Sequence, residues 1–214
     1  MSVLLDHLPE LWQGLLVTLQ LTVASFLGAA VLGVLVTAMR VSPVPVLRAL
    51  GTAYVETFQN LPLLVLLVLV FFGLPEIGIQ GPPMATAIVV IAVYQAAYMA
   101  EALRSGVNSV SKGQAEAARA LGLTFGQSLR LVILPQALRT VVQPLGNLTI
   151  QLIMSTALAG AISVVDLTEV AKRVNLQEAQ PIAIFVGSGL AYVALAAAVG
   201  YVTGRLERRL VIVR

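Results

Sequence analysis

Leu63-Leu-Val-Leu-Leu-Val-Leu-Val-Phe-Phe72 is an unbroken apolar run, with no charge, hydroxyl or amide in it. It does not alternate, as a strand of a membrane barrel would over about ten residues. It sits inside a longer apolar stretch, about 53–74, which has the ~20 residues needed to cross the hydrocarbon of a bilayer as a helix. Four more stretches qualify, at about 11–39, 84–107, 127–157 and 181–204. Pro82 and Pro83 stand just before the third and Pro181 opens the fifth, where a missing N–H costs a helix little.

Composition agrees. Of 214 residues, 58% are hydrophobic and 11% charged, with a mean hydropathy of +0.94. A soluble domain of this length needs more charge to cover its surface. Here the charges fall in short stretches between the apolar runs, so lipid is the solvent for most of the chain, and in lipid only helices and closed barrels satisfy every backbone group. The expected fold is an all-α integral membrane protein, one transmembrane domain over 1–214. Without cysteine, disulfides, thiolate metal sites and cysteine nucleophiles are excluded. The single His7 lies in the N-terminal tail, which argues against a histidine metal or acid–base site inside the membrane. No metal site and no catalytic residue is expected. A pI near 9.6 could suggest nucleic acid, but the basic residues sit at the ends of the apolar runs, which is membrane topology and not a phosphate-binding face.

Orientation follows from Lys and Arg. Met1 to Gln13 carry Asp6 and Glu10 and no cation, so the positive region of a cleaved signal peptide is lacking and the first helix is expected to be retained, N-terminus outside. That arrangement places Arg40, Arg48, Arg104, Lys112, Arg119, Arg130, Arg139, Arg205, Arg208, Arg209 and Arg214 in the cytoplasm and only Lys172 and Arg173 outside. Eleven against two is a strong positive-inside signal. Five spans then run N-out to C-in.

The loop after the third span carries helix signals of its own. Ser111-Lys-Gly-Gln114 fits a capping box, Ala115-Glu-Ala-Ala-Arg-Ala-Leu121 is made of strong helix formers, and Gly122 ends the segment as a C-terminal glycine would. Thr124-Phe-Gly-Gln127 supplies a second capping box at the start of the fourth span. A solvated connector and a docking element both fit this pattern.

Glu116-Ala117-Ala118-x3-Gly122-x9-Val132-Ile133-Leu134-Pro135 resembles the EAA motif of permease subunits in binding-protein-dependent ABC importers. Ala118-Arg-Ala-Leu-Gly-Leu123 is typical of their polar amino-acid branch, and Thr18-Leu-Gln-Leu-Thr22, Tyr54-Val-Glu56, Asn60-Leu-Pro62 and Ala100-Glu101-x2-Arg104-x-Gly106 agree in the right order along nearly the whole chain. Met39-Arg-Val-Ser-Pro43 and Glu101-Ala-Leu-Arg-Ser-Gly-Val-Asn108 look most like actinobacterial glutamate-type permeases. The resemblance implies a type I importer transmembrane fold in the bacterial cell membrane, taking up a polar amino acid of glutamate or glutamine type. It implies a coupling helix over 114–122, in which Gln114, Glu116, Ala117, Ala118, Arg119, Leu121 and Gly122 dock on a separate ATPase. Glu116 and Arg119, three apart, can pair with each other or with that partner. The implied partners are two ATPase subunits, an extracellular amino-acid-binding protein and a second, homologous permease. The chain lacks the Gly-x4-Gly-Lys-Ser/Thr phosphate loop, so ATP and Mg are expected on the partner ATPase and no cofactor on this chain.

For the substrate path, Gln143, Asn147 and Gln151 recur at i, i+4 and i+8 on the fourth span, Ser155 extends the row, and Thr156 beside it is counted with the path. Amides in hydrocarbon are costly, so the stripe should face protein or water: interhelical hydrogen bonding and a hydrated path both satisfy it. Tyr94, Tyr98 and Glu101 form a second stripe on the third span, with Gln95 nearby, and Glu101 and Arg104 read as a structural pair. Pro135 and Pro144 are each expected to bend the fourth span. Relatives usually carry a Lys where Met154 stands and an Arg where Gln59 stands, so the stripe offers amides without full charge. The second permease is therefore expected to be non-identical and to supply charge recognition. A channel or secondary transporter is the competing reading, but no internal repeat is visible, as secondary transporters usually show.

Overall fold

A computed structural model describes residues 2–210, and every regular element among them is helical; Arg214, one of the cations assigned to the cytoplasm, lies outside them. A short α1 (Ser2–Asp6) precedes the long α2 (Leu8–Val41). Then come α3 (Pro45–Gln59), α4 (Leu63–Val68), α5 (Pro83–Ser109), α6 (Lys112–Ala120), α7 (Phe125–Ser128), α8 (Leu134–Thr156), α9 (Leu167–Glu178) and α10 (Pro181–Leu210). Four helical runs are long and apolar enough to cross a membrane: α2, α5, Phe125–Ile162 and α10.

The stretch at 53–74 is not one straight span, which corrects the sequence reading. It divides into Pro45–Gln59 and Leu63–Ile77, bent by 99° at Asn60-Leu61-Pro62. Pro62 has no N–H to donate and drives Leu61 out of the helical region. The Asn60 side chain closes α3 by donating to Glu56 O at 2.6 Å, and Leu66 N opens α4 by donating to Pro62 O at 3.2 Å.

Two prolines share one local solution. Leu69–Gly73 and Leu129–Ile133 are π-turns, and Pro75 and Pro135 each stand two residues beyond the end of one. A proline ring collides with the carbonyl four residues back, and a widened turn opens that space. Pro144 behaves differently. It lies inside α8, within a continuous 38-residue helical run from Phe125 to Ile162.

At the centre, α2 packs on α5 through small residues. Ala29, Ala96, Ala97 and Ala100 are fully buried, Thr37 donates to Gly33 O at 2.7 Å, and Ser25 donates to Ile88 O at 3.3 Å. Small side chains let helices approach where lipid gives no hydrophobic drive to association, and hydroxyls satisfied by backbone carbonyls add no orphan donor. At Gly106, on α5, an added methyl would overlap Val141 Cγ1 and stand 3.1 Å from Ala137 O, so only glycine allows α8 this close. The apolar flank of α2 (Val23, Leu27, Val31, Val34) and much of α10 (Val186, Leu190, Val193, Val202) stay exposed, as a lipid-facing surface requires.

The two ends of the bundle differ in charge. His7 sits between Glu178 at 3.1 Å and Glu10 at 3.3 Å, tying the N-terminal tail to the end of α9. Lys172 and Arg173, the two cations on the side assigned outside, both lie on Glu169, at 3.3 and 3.1 Å. Glu169 thus offsets one of the two charges locally, which lessens their departure from the charge bias of the other loops. At the opposite end Arg40 of α2 pairs with Glu101 of α5, and Arg205 caps the Tyr201 ring at 4.6 Å.

Candidate functional site

The segment expected at 114–122 is the helix α6, Lys112–Ala120, with Leu121 as its C-cap. Gly122 has φ +78, its N–H reaches Arg119 O at 2.9 Å, and Leu123 N reaches Ala118 O at 3.1 Å. These paired bonds form a Schellman closure, which needs the left-handed residue that glycine supplies. Ser111 is the N-cap by position, but its hydroxyl makes no capping bond, so the first capping box does not form. Its neighbours are exposed, and water can satisfy the first-turn amides instead. The second box does form: Gln127 N donates to Thr124 Oγ1 at 3.4 Å and Thr124 N to Gln127 Oε1 at 2.9 Å.

Only Ala118 of α6 is buried in the chain. Gln114, Glu116, Ala117 and Arg119 are exposed, and Glu116 and Arg119 do not pair with one another. Leu121 and Phe125 are 81% and 73% exposed. The nine-residue helix thus ends in two large apolar side chains that the rest of the chain leaves uncovered.

The polar stripe keeps its register. Gln143, Asn147 and Gln151 are all exposed along one face of α8, Ser155 is half-buried with its hydroxyl donating to Gln151 O at 2.9 Å, and Thr156 is buried, donating to Ile153 O at 2.7 Å. Gln95 is fully buried between α5 and α8, its Nε2 donating to Leu148 O at 2.9 Å and its Oε1 left without a partner. Tyr98 exchanges a 3.0 Å hydrogen bond with Tyr94 and donates to Gln59 O at 3.3 Å, while Gln59 Nε2 donates to Ala97 O at 3.4 Å.

Beside the stripe a cleft of about 450 Å³ opens between α3, α5 and α8. Gln59, Tyr98, Glu101, Ser109, Thr140 and Pro144 are among its lining residues. Of the path residues named from sequence, Tyr98 lines it, and Gln143 and Asn147 flank lining positions on α8. Sequence reasoning missed Thr140, Ser105 and Ser109, whose hydroxyls show no periodic signal. It also took Glu101 and Arg104 as a local pair only; the cross-helix partner Arg40, 61 residues away, has no sequence signature.

A bundle of apolar helices with a kinked span, a capped helix on its basic face and a polar cleft in its inner half defines a multi-pass transport protein. The chain belongs to the family described as binding-protein-dependent transport system inner membrane component, whose profile matches residues 29–212. It is thus a multi-pass inner-membrane protein. Among similar proteins, a probable glutamine ABC transporter permease protein of Bacillus subtilis is 36% identical over 98% of this chain and 97% of its own. A glutamate transport system permease protein of Corynebacterium glutamicum is 37% identical over 96% and 94%. Among solved structures, an amino acid ABC transporter solved with histidines superposes with a TM-score of 0.91 at 29% identity, covering 96% of both chains. The methionine ABC transporter in inward-facing conformations gives 0.75 at 23% identity, covering 99% and 98%, and supports the fold alone.

Proposed function

We propose that this chain is the permease subunit of an ATP-driven importer for a polar amino acid of glutamate or glutamine type. It forms one side of the path and couples to a separate ATPase through α6. The observation that carries this is the exposed, capped α6 with Leu121 and Phe125 standing in water, in a chain 36% and 37% identical to glutamine and glutamate permeases. Gln114, Glu116, Ala117, Arg119, Leu121 and Gly122 make the contact with the ATPase, while Ala118, expected among them, is buried against the chain's own bundle: Ala117 allows close approach and Leu121 is the apolar knob.

Two ATPase subunits, an extracellular binding protein and a second permease complete the assembly, with ATP and Mg held by the ATPase. The second permease covers the exposed stripe of Gln143, Asn147 and Gln151, because a row of amides left against lipid is costly. It is homologous and non-identical, since a copy of this chain would again bring amides and no full charge from the stripe to an anionic ligand. Path contacts come from Tyr98, Gln143, Asn147, Gln151 and Ser155, with Gln95 and Thr156 behind them.

Gly122→Pro and Glu116→Lys test the coupling. Proline abolishes both the left-handed φ and the donated N–H of the exit turn, and Lys reverses a charge on the docking face. Both variants should reach normal membrane abundance yet lose uptake and ligand-stimulated ATP hydrolysis. Unchanged uptake in both overturns the docking role.

A further inference from the structure

We propose that the groove between α8 and α10 seats an acyl chain of an anionic phospholipid from the inner leaflet, with the headgroup held by Arg139 and Arg209. This goes beyond the importer reading and uses none of the path or coupling residues.

The groove holds about 500 Å³, and its lining carries no charge and no amide. Val142, Gly146 and Thr149 line it from α8, Val202 and Leu206 from α10, and Phe26 from α2. The Thr149 hydroxyl is satisfied within its own helix, donating to Leu145 O at 2.8 Å. Such a surface gives an amino-acid substrate nothing to bond, whereas hydrocarbon fits it. Val202 and Leu206 are 56% and 49% exposed, on a helix largely open to lipid. The amide stripe assigned to the second permease lies roughly 140° around α8 from this face, so covering the stripe leaves the groove open to the bilayer.

Charge at the inner mouth of the groove selects the headgroup. An added methyl at Gly146 would overlap the Thr203 side chain, so these residues stand level where the two antiparallel helices meet. Arg139 precedes Gly146 by seven residues and Arg209 follows Thr203 by six, which carries them about 10 Å and 9 Å toward the cytoplasm. Both continue the groove's own walls: Arg139 is two turns from Gly146, and Arg209 is two turns from Val202. From Arg205 to Arg209 three cations stand against one acid, Glu207. Among the described residues, Arg139, Arg205, Arg208 and Arg209 make no ion pair. A basic mouth between spanning helices on the cytoplasmic side suits an anionic lipid headgroup, and the apolar slot behind it takes the chain. The other role open to these cations is to set topology by charge alone, which needs no groove.

The test is native mass spectrometry of the assembled complex in detergent, titrated with phosphatidylglycerol or phosphatidylcholine of identical chains. Wild type should retain phosphatidylglycerol in preference, and Arg139→Gln or Arg209→Gln should each lower that retention by roughly fivefold. Arg139→Lys and Arg209→Lys, which keep the charge, should stay nearer wild type. Arg48→Gln removes an inner-side cation away from the groove and should change nothing. Ala198→Trp fills the groove with every arginine in place and should also release the lipid. Glycerol phosphate, which has the charge without the chains, should displace nothing, and that measurement decides the role of the groove if Ala198→Trp does not assemble. Equal loss in Arg48→Gln shows a general charge effect and overturns the proposal. Equal retention of the two lipids, full retention in Ala198→Trp, or displacement by glycerol phosphate overturns it as well.

Discussion

His7 stands between Glu178 and Glu10 at the outer end, and the Glu178 hydrogen bond, with Glu10 adding, raises its pKa above the usual 6.5. The protonated ring is favoured in the fold, so its stabilising contribution is fully present below pH 6.5 and fades as pH rises through the raised value. The melting-temperature gap between wild type and His7→Gln in detergent should therefore be widest on the acidic side and narrow toward pH 9. A gap independent of pH contradicts this. Asp166 is fully buried, where it caps α9 by accepting from Glu169 N at 3.0 Å and takes the Tyr192 hydroxyl at 3.0 Å. Burial raises its pKa, so it too favours the fold most at low pH, and loses that advantage as pH climbs past its shifted value. Asp166→Ala removes the cap and one of the two hydrogen bonds of the half-buried Tyr192 hydroxyl, the other going to Thr168 at 2.9 Å, and should cost about 1–2 kcal/mol. Asp166→Asn, which can still cap, should cost less, and thermal unfolding of the two variants would show the order. Neither His7–Glu178 nor Asp166–Tyr192 was legible in the sequence, because partners 171 and 26 residues apart leave no local pattern.

Elements were legible where the chain writes its own punctuation. Gly122 after a run of helix formers gave the end of α6, and the Thr124–Gln127 box gave the start of α7. Pro83 and Pro181 marked helix starts for the same reason. What failed was hydropathy across Asn60-Leu61-Pro62: a window of apolar residues does not register a 99° turn, although the proline could have been read as a stop. The amphipathic α9 was missed too, since it is too polar to be a span. Its Asp166-x-x-Glu169 start was the available signal. Within α6, Gly122→Ala keeps the N–H and adds only left-handed strain, about 1 kcal/mol. Coupling should weaken partly in this variant where Gly122→Pro abolishes it, and stimulated ATP hydrolysis in matched proteoliposomes would separate the two. Equal loss in both means the closure of α6 tolerates no side chain at all.

For the whole molecule, the charge bias and the buried seam of small residues between α2 and α5 make one consistent bundle, with acidic groups and α9 at one end and α6 at the other. Because the sequence has no native thiol, single cysteines at positions 6 and 209 report orientation. An impermeant reagent added to cells should label the first only, and labelling of the second alone reverses the topology. The path is the part least legible from sequence. Its stripe on α8 was readable at helical spacing, but the cleft needs α3, α5 and α8 together, and only the fold brings them to one place. The most direct test of the account is ATP hydrolysis by the reconstituted complex of this chain, its second permease and its ATPase, with and without loaded binding protein. The importer reading predicts hydrolysis that rises with loaded binding protein, accompanied by uptake of glutamate or glutamine. Uptake that proceeds without ATP, or hydrolysis that ignores the binding protein, would contradict it.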